Sequence, residues 1–346
     1  MSRTARLTAL TAAAALTLGL AACSTDTDEP AADAAATDAA AGSGDQFPVT
    51  VEHAFGSSTI EEKPERVATV AWANHEIALA LGVVPVGMAA TPWGDDDGDG
   101  VHPWVEDELD ELGAEMPAVF DETDGIDFEA VADTNPDVIL AAYSGLSQED
   151  YDTLSQIAPV VAYQSGPWAT TWREMIEINS AGLGLSAEGD QLIADLKAEI
   201  AGAVAEHPEI EGATAMMVTH VDPTDLSEIS FYSANDPRSQ YFEDLGMAVP
   251  QSLIDSTEGD SYNGSVSTEN ADIFSDVDIF VTYGGDELIE ALEADPVLSQ
   301  LPAVADDAIV NLPGDGPLGT AANPTPLQIP YILDDYLDAL AGAVQD

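Results

Sequence analysis

Short apolar runs alternate with amphipathic segments along most of this chain. The runs are four to seven residues long and lie at Val67–Ala71, Val83–Met88, Val138–Ala142, Pro159–Tyr163, Ala213–Thr219, Ile229–Tyr232, Ile279–Tyr283 and Ala308–Leu312. An alternating stretch, Val49–Phe55, precedes them. Helical patterns lie between or after the runs, at Glu149–Ile157, Thr171–Leu183, Ser239–Leu245 and Ile329–Val344. Apolar strands separated by helices predict an α/β fold with mainly parallel sheets.

The longest helical pattern divides the chain into two comparable parts. It covers Ser186–Glu206 and ends at His207-Pro208, where a proline stops a helix. Its apolar residues recur every fourth position, at Leu192, Leu196, Ile200 and Val204. We therefore predict an N-terminal lobe over residues 47–185, a connecting helix over 186–207, and a C-terminal lobe over 208–346.

An internal similarity indicates that the two lobes are related. Glu129 precedes Tyr143 by 14 residues, and Glu269 precedes Tyr283 by the same interval. Between them, each segment has a helix leading into an apolar strand whose end carries the tyrosine and a glycine. Ligands of open α/β sheets lie beyond the carboxyl ends of the strands, so Tyr143 and Tyr283 are predicted to floor a cleft between the lobes. Chance similarity between common α/β patterns is the alternative.

The first residues have the character of an export signal. Residues 1–6 are basic, and residues 7–22 are apolar but shorter than the about 20 residues that span a bilayer. The signal ends in LAAC, which resembles the lipobox of bacterial lipoproteins, so Cys23 is predicted to be lipidated. Residues 23–46, rich in Ala, Asp and Thr, are predicted to form a disordered tether. The protein is then anchored at the outer face of the cell membrane; an ordinary cleaved signal is the alternative.

Charge excludes several partners. The 346 residues include 65 acidic and 7 basic side chains, a formal net charge of −58. Such a chain lacks the cations that neutralise phosphates, so nucleic acids and anionic lipid surfaces are excluded as electrostatic partners. An acidic, lysine-poor surface favours solubility at high salt, which suggests a salt-tolerant source or an acidic secreted protein.

The order of several stretches resembles a known family. They read VTVEHAFGSSTIEEKPERVATVAWANHEIALALGVVPVG, DFEAVADTNPDVILAAYSGLSQEDYDTLSQIAPVVAY, PWATTWREM, DPRSQYFEDLGMAVP and NPTPLQIPYIL. Behind a lipobox, this order resembles the iron-siderophore substrate-binding lipoproteins of ABC importers, in the helical-backbone (class III) group of periplasmic binding proteins. The resemblance covers the chain from about Val49 to Ala341.

The resemblance implies two α/β lobes, one rigid connecting helix, a shallow cleft and small motions on binding. It also implies a monomer that delivers its ligand to permease subunits with a cytoplasmic ATPase. In the family, one surface glutamate on each lobe docks onto permease arginines, and the matching positions here are Glu129 and Glu269. Alternatively, both are solvated glutamates favoured at helix starts by the helix dipole.

A ferric siderophore arrives with its iron already coordinated, so its receptor needs aromatic faces and a few polar groups but no metal ligands or cofactor. Candidate contacts follow predicted strand ends or the turns after them: Trp72, Tyr143, Trp168, Trp172, Tyr232 and Tyr283. Arg238 is added because a cation at a helix start is poorly placed for the dipole, and siderophore oxygens would explain it. A surface ion pair is the equal alternative for Arg238, whereas Arg173 inside a helix is predicted to be structural.

One motif indicates a possible metal site. Asp95, Asp97, Asp99 and Glu106 fit the calcium loop of an EF-hand. The context argues against it, because Pro92 and Gly94 exclude a helix before the loop and Pro103 lies inside it. Calcium is therefore kept only as an alternative.

The histidines and the absence of catalytic motifs leave two alternatives open. The five histidines lack HxxH or HExxH spacing, although His75 and His220 lie near strand ends and keep a bare metal ion as a candidate ligand. No GxSxG, P-loop or GxGxxG motif is present, so an enzyme is not predicted and a tethered extracellular hydrolase is the distant alternative.

We therefore predict a lipid-anchored receptor that captures a ferric siderophore and passes it to an ABC importer. Because the chain is strongly negative, neutral or cationic hydroxamate complexes are favoured over anionic ferric tris-catecholates. Haem and cobalamin also fit an aromatic cleft and remain alternative ligands.

Overall fold

A computed structural model describes residues 46–219, 222–314 and 316–344. The predicted signal, Cys23 and the predicted tether up to residue 45 lie outside the described residues, as does His220. None of the described helices combines the length and the apolar character needed to cross a bilayer.

The N-terminal lobe is built on a five-stranded parallel sheet. Its strands are β3 (Val67–Thr69), β4 (Gly87–Ala89), β5 (Ala118–Phe120), β6 (Val138–Ala141) and β7 (Val160–Ala162). Their spatial order is β5-β4-β3-β6-β7, and every neighbouring pair is parallel. All four residues of β6 are buried, as expected for a central strand covered on both faces.

Five helices and a hairpin surround this sheet. The antiparallel hairpin comprises β1 (Val49–His53) and β2 (Gly56–Ile60). The helices are α1 (Asn74–Ala80), α2 (Pro103–Leu112), α3 (Phe128–Asp133), α4 (Gln148–Leu154) and α5 (Trp172–Leu183). Helix α5 begins with a capping box, in which Thr171 and Glu174 satisfy each other's backbone N–H groups.

A single helix, α6 (Ser186–Val204), follows and precedes the second sheet. It ends two residues before the predicted Glu206, and a short 3₁₀ segment, Pro208–Ile210, follows it. Leu196 and Ile200 are buried in the largest hydrophobic cluster. At 1.5 Å per residue, the helix is about 28 Å long.

The C-terminal lobe contains a three-stranded parallel sheet, ordered β12-β11-β8, and a separate two-stranded antiparallel sheet. The parallel strands are β8 (Ala215–Met217), β11 (Ile279–Tyr283) and β12 (Ile309–Leu312). The antiparallel pair comprises β9 (Glu228–Tyr232) and β10 (Asn263–Ser267). Helices α7 (Pro237–Asp244), α8 (Gln251–Asp255), α9 (Asp286–Ala294), α10 (Pro302–Ala305) and α11 (Gln328–Ala343) complete the lobe. Further 3₁₀ segments lie at Thr268–Phe274, Leu298–Gln300 and Pro317–Thr320.

The predicted two-lobed α/β class with mainly parallel sheets is confirmed. The largest hydrophobic cluster is shared by the lobes, since Tyr143 and Trp172 of the first pack with Tyr241, Tyr283 and Tyr336 of the second. A continuous core of this kind resists large opening motions, because opening would expose apolar surface.

Candidate functional site

An aromatic cavity of about 410 Å³ lies between the lobes. Its lining residues come from loops at the carboxyl ends of β3, β4, β6 and β7 and from elements of the C-terminal lobe. They are Trp72, Trp93, Tyr143, Trp168, Tyr232, Arg238, Tyr262, Tyr283, Thr320 and Asn323. Seven of these ten residues are aromatic, so the cavity offers flat apolar faces with few polar groups.

A strained loop presents Trp72. The alanines on either side of it, Ala71 and Ala73, both have φ of 59°, a left-handed conformation that costs a non-glycine residue about 1–2 kcal/mol. The buried Asn74 amide holds this loop, donating to the carbonyls of Val70 (2.8 Å) and Tyr143 (2.9 Å) and accepting the Tyr143 N–H (3.1 Å). Asn74 therefore ties the loop that carries Trp72 to the one that carries Tyr143.

Tyr143 and Trp168 form one wall together. Their rings meet edge-on, with centroids 5.2 Å apart. The Tyr143 hydroxyl donates to Asn323 Oδ1 at 3.3 Å, which links the two lobes. Burial raises the pKa of Tyr143 well above its ordinary value, so this hydroxyl keeps its proton. Gly145 makes room for Trp168, because a Cβ there would lie 2.4 Å from the indole nitrogen.

Trp93 crosses from the N-terminal lobe to the C-terminal one. Its indole N–H donates to the Gly319 carbonyl at 3.0 Å, and its ring meets Tyr283 edge-on at 5.4 Å. Gly314 allows this approach, since a Cβ on it would lie 2.2 Å from the indole ring. Burial raises the pKa of Tyr283 to about 12, so that ring also stays uncharged at neutral pH.

Arg238 brings a cation to the cavity wall, and the carboxylate of Asp236 neutralises its charge. Its Nη1 donates to both carboxylate oxygens of Asp236, at 3.0 and 2.8 Å, and Asp236 is fully buried. Its guanidinium carbon lies 4.0 Å from the centroid of the Tyr232 ring, a cation–π contact. Burial raises the pKa of Asp236, and the adjacent guanidinium opposes that rise. Arg238 Nε is buried and has no hydrogen-bond partner among the described residues.

Six of the seven predicted ligand contacts line this cavity: Trp72, Tyr143, Trp168, Tyr232, Arg238 and Tyr283. A surface ion pair was the alternative role for Arg238. Arg238 does form an ion pair, but its partner Asp236 is buried beside the cavity. Four further lining residues were not predicted from the sequence: Trp93, Tyr262, Thr320 and Asn323. Whether any of these residues contacts a ligand stays a prediction.

Trp172 was predicted to contact the ligand, but it does not line the cavity. It is 1% exposed, and its indole N–H donates to Asp244 Oδ2 of α7 at 3.0 Å. The neighbouring Arg173 forms an ion pair with the same carboxylate, in keeping with the structural role predicted for it. These contacts fasten α5 to α7 and leave the Trp172 ring no face for a ligand.

The two predicted docking glutamates occupy matching places. Glu129 lies in the first turn of α3, which leads into β6, and Glu269 lies in the first turn of the 3₁₀ segment that leads into β11. Both are exposed. The repeat is therefore present in the fold, although its second helix is a 3₁₀ helix rather than an α-helix. Permease docking stays a prediction.

The acidic loop and the histidines of the described residues do not line the cavity. Carboxylate oxygens of Asp95, Asp97 and Asp99 lie within 4.8 Å of one another, but Glu106 is not part of that group. All three accept backbone N–H groups of their own loop, and calcium binding there stays a prediction. His75 is buried and absent from the cavity wall.

Comparison with known proteins gives a consistent assignment. The periplasmic binding protein family matches residues 67–315. The structure of Streptococcus pneumoniae TIGR4 PiaA in complex with ferrichrome has 43% sequence identity, a TM-score of 0.82, and coverage of 86% of this chain and 98% of that chain. A periplasmic solute binding protein from Mycobacterium smegmatis str. MC2 155 has 27% identity and a TM-score of 0.68 over 86% of this chain and 99% of that chain.

A curated relative is more distant. The probable siderophore-binding lipoprotein YfiY of Bacillus subtilis (strain 168) is 24% identical over 247 residues, which are 70% of this chain and 71% of the relative. The family resemblance and the prediction of a non-enzymatic protein are both confirmed by the family match and the PiaA likeness. This chain belongs to the periplasmic binding protein family, whose members bind a substrate without transforming it.

Proposed function

We propose that this protein binds a ferric siderophore of the hydroxamate class in the aromatic cavity and delivers it to an ABC importer. The observation that carries the proposal is the cavity wall itself, with seven aromatic rings around one ion-paired guanidinium. The likeness to PiaA, whose structure contains ferrichrome, supports the same ligand class. The iron is cargo here, already coordinated by the siderophore.

Charge favours a hydroxamate over a catecholate. The Arg238 charge is offset by Asp236, so the wall offers little net positive charge to a ligand. The whole chain carries a formal charge of −58, which repels a trianionic ferric tris-catecholate wherever salt does not screen it. A neutral ferric trihydroxamate escapes that repulsion.

A bare metal ion is a poor match to the same wall. None of the described residues lining the cavity is His, Cys, Asp or Glu. Aromatic hydroxyls, an amide and a guanidinium do not replace the imidazole, thiolate or carboxylate ligands that transition metals require.

Tryptophan fluorescence of the full chain in mild detergent tests the ligand class, since three indoles line the cavity. We expect saturable quenching, micromolar or tighter, by a ferric trihydroxamate and not by its iron-free form. Tighter binding of a ferric tris-catecholate at low salt would contradict the charge argument. A response only to haemin, cobalamin or a free ion would contradict the siderophore assignment.

Lipidation of Cys23 would keep the receptor at the outer face of the membrane, and YfiY, which is described as a lipoprotein, supports this. For transfer, Glu129 and Glu269 would dock onto cations of the permease, one from each lobe. The double substitution Glu129→Gln with Glu269→Gln is expected to abolish siderophore uptake by cells while leaving binding in solution unchanged. Normal uptake by the double variant would refute the docking role.

A further inference from the structure

A second cavity adjoins the aromatic one on the side of the N-terminal lobe. Its volume is about 370 Å³, and Trp72 and Trp168 line both cavities. Its other walls include Glu122 and Asp150, which come from the loop after β5 and from α4. We call this second cavity the acidic groove. The two cavities therefore share a wall made of these two indole rings.

The acidic groove carries negative charge without a counter-ion. Glu122 and Asp150 are the titratable side chains among the described residues that line it, and none of those residues is basic. Asp150 Oδ2 accepts both the N–H and the hydroxyl of Ser147, at 3.0 and 2.7 Å. The aromatic cavity, by contrast, contains a balanced Arg238–Asp236 pair.

Glu122 has an unfilled hydrogen-bonding capacity. Its Oε2 accepts the N–H of Ala71, the strained residue before Trp72, at 2.9 Å. Its Oε1 is buried and has no hydrogen-bond partner among the described residues. Burying a carboxylate oxygen without a hydrogen-bond donor costs free energy. Protonation of the carboxylate, or a donor on a bound ligand, removes that cost. Burial raises the pKa of Glu122 to about 7, which places both states within reach of neutral pH.

We propose that the acidic groove binds a primary ammonium group carried on an arm of the ferric siderophore, with Glu122 as its main acceptor. The inference rests on the proposed function, because the siderophore core must occupy the aromatic cavity. An ammonium group supplies up to three donors and the missing positive charge. The site then selects, among ferric trihydroxamates, those that carry a cationic arm.

The test uses a matched pair of ligands, ferrioxamine B and its N-acetyl derivative. They share the ferric trihydroxamate core, and only the first carries a terminal ammonium. Affinities are measured by tryptophan quenching of the full chain in mild detergent, at about pH 8 and about 0.1 M salt. We expect ferrioxamine B to bind about tenfold tighter, the scale of one charge-assisted hydrogen bond.

Variants then locate the effect. Glu122→Gln keeps an acceptor for the Ala71 N–H but loses the charge, so the tenfold preference should fall to near one with the acetylated ligand unaffected. Glu111→Gln removes a charge from an exposed site on α2 and should keep the preference. In the wild type, the preference should shrink between about pH 8 and about pH 6, because a protonated Glu122 no longer attracts a cation.

The outcomes separate the two proposals. Equal binding of both ligands to the wild type would overturn the ammonium site and leave the hydroxamate receptor intact. A Glu122→Gln variant that weakens both ligands equally would reduce Glu122 to support of the Ala71 loop, and would also overturn the site. Failure of both ligands to bind would overturn the receptor assignment and, with it, the inference that depends on it.

Discussion

Asn74 joins the two loops that present Trp72 and Tyr143, and its removal should destabilise the lobe and weaken ligand binding together. The substitution Asn74→Ala leaves a set of fully buried polar groups without partners. They are the Val70 and Tyr143 carbonyls, the Tyr143 N–H, and the Asn179 amide, which donates to Asn74 Oδ1 at 3.0 Å. Water does not reach these two amides in the wild type, because Asn74 and Asn179 are both 0% exposed.

The size of the effect follows from those four hydrogen bonds. Each buried hydrogen bond contributes about 1 kcal/mol net, and an unsatisfied buried group costs about 1–3 kcal/mol. The four costs do not add in full, because the bonds share partners and the loop relaxes after the substitution. We therefore expect the free energy of unfolding to fall by about 3–5 kcal/mol. Release of the strained backbone at Ala71 and Ala73 should also let Trp72 move, which lowers the affinity for a ferric trihydroxamate.

Urea denaturation of the variant and the wild type, followed by fluorescence, measures the loss, and titration with ligand measures the affinity. Asn270→Ala is the control, since Asn270 is exposed in a 3₁₀ segment and should change the free energy of unfolding by less than about 0.5 kcal/mol. A loss below about 1 kcal/mol for Asn74→Ala, or a loss equal to that of the control, would refute the reasoning that this amide holds the site together.

Three further predictions concern the site, pH and salt. Gly314→Ala places a Cβ 2.2 Å from the Trp93 ring and should lower ligand affinity about tenfold, measured by titration; unchanged affinity would mean that Trp93 is not a contact. Burial lowers the pKa of His75 to about 4, so the unfolded chain binds more protons than the folded one below about pH 6.5. The free energy of unfolding should therefore fall by up to about 3 kcal/mol toward pH 4, and His75→Leu should lack this loss. Raising salt from about 0.1 to about 1 M shortens the Debye length from about 10 to about 3 Å and should raise the urea midpoint; a constant midpoint would contradict self-repulsion by the −58 charge.

Central strands were predictable because burial on both faces makes them continuous apolar runs. The run Ile279–Tyr283 coincides with β11, and Val138–Ala142 exceeds β6 by one residue. Strands that lack this property were missed. In β5 only Phe120 is buried, and β10 (Asn263–Ser267) is a polar strand that is recognisable only through its pairing with β9.

The position of a residue at a strand end predicted most of the cavity, because parallel strands bring their carboxyl ends to one edge. Tyr143 follows β6 and Tyr283 ends β11, and both line the cavity. The rule fails for Trp172, which begins a helix rather than following a strand. A side chain in a first helical turn can face either the cavity or a neighbouring helix, and here the Asp244 carboxylate on α7 decides the direction.

Trp93 shows where the information for the rest of the cavity is located. Local sequence makes it a loop residue, with no reason to face a ligand. It reaches the cavity because its indole bonds to Gly319 in the other lobe and because Gly314 leaves room for the ring. These partners lie more than 200 residues away in the chain, 226 for Gly319. Local sequence pattern thus predicts the tyrosines at the strand ends, Tyr143 and Tyr283. It does not predict Trp93, because that residue's position depends on a contact between the lobes.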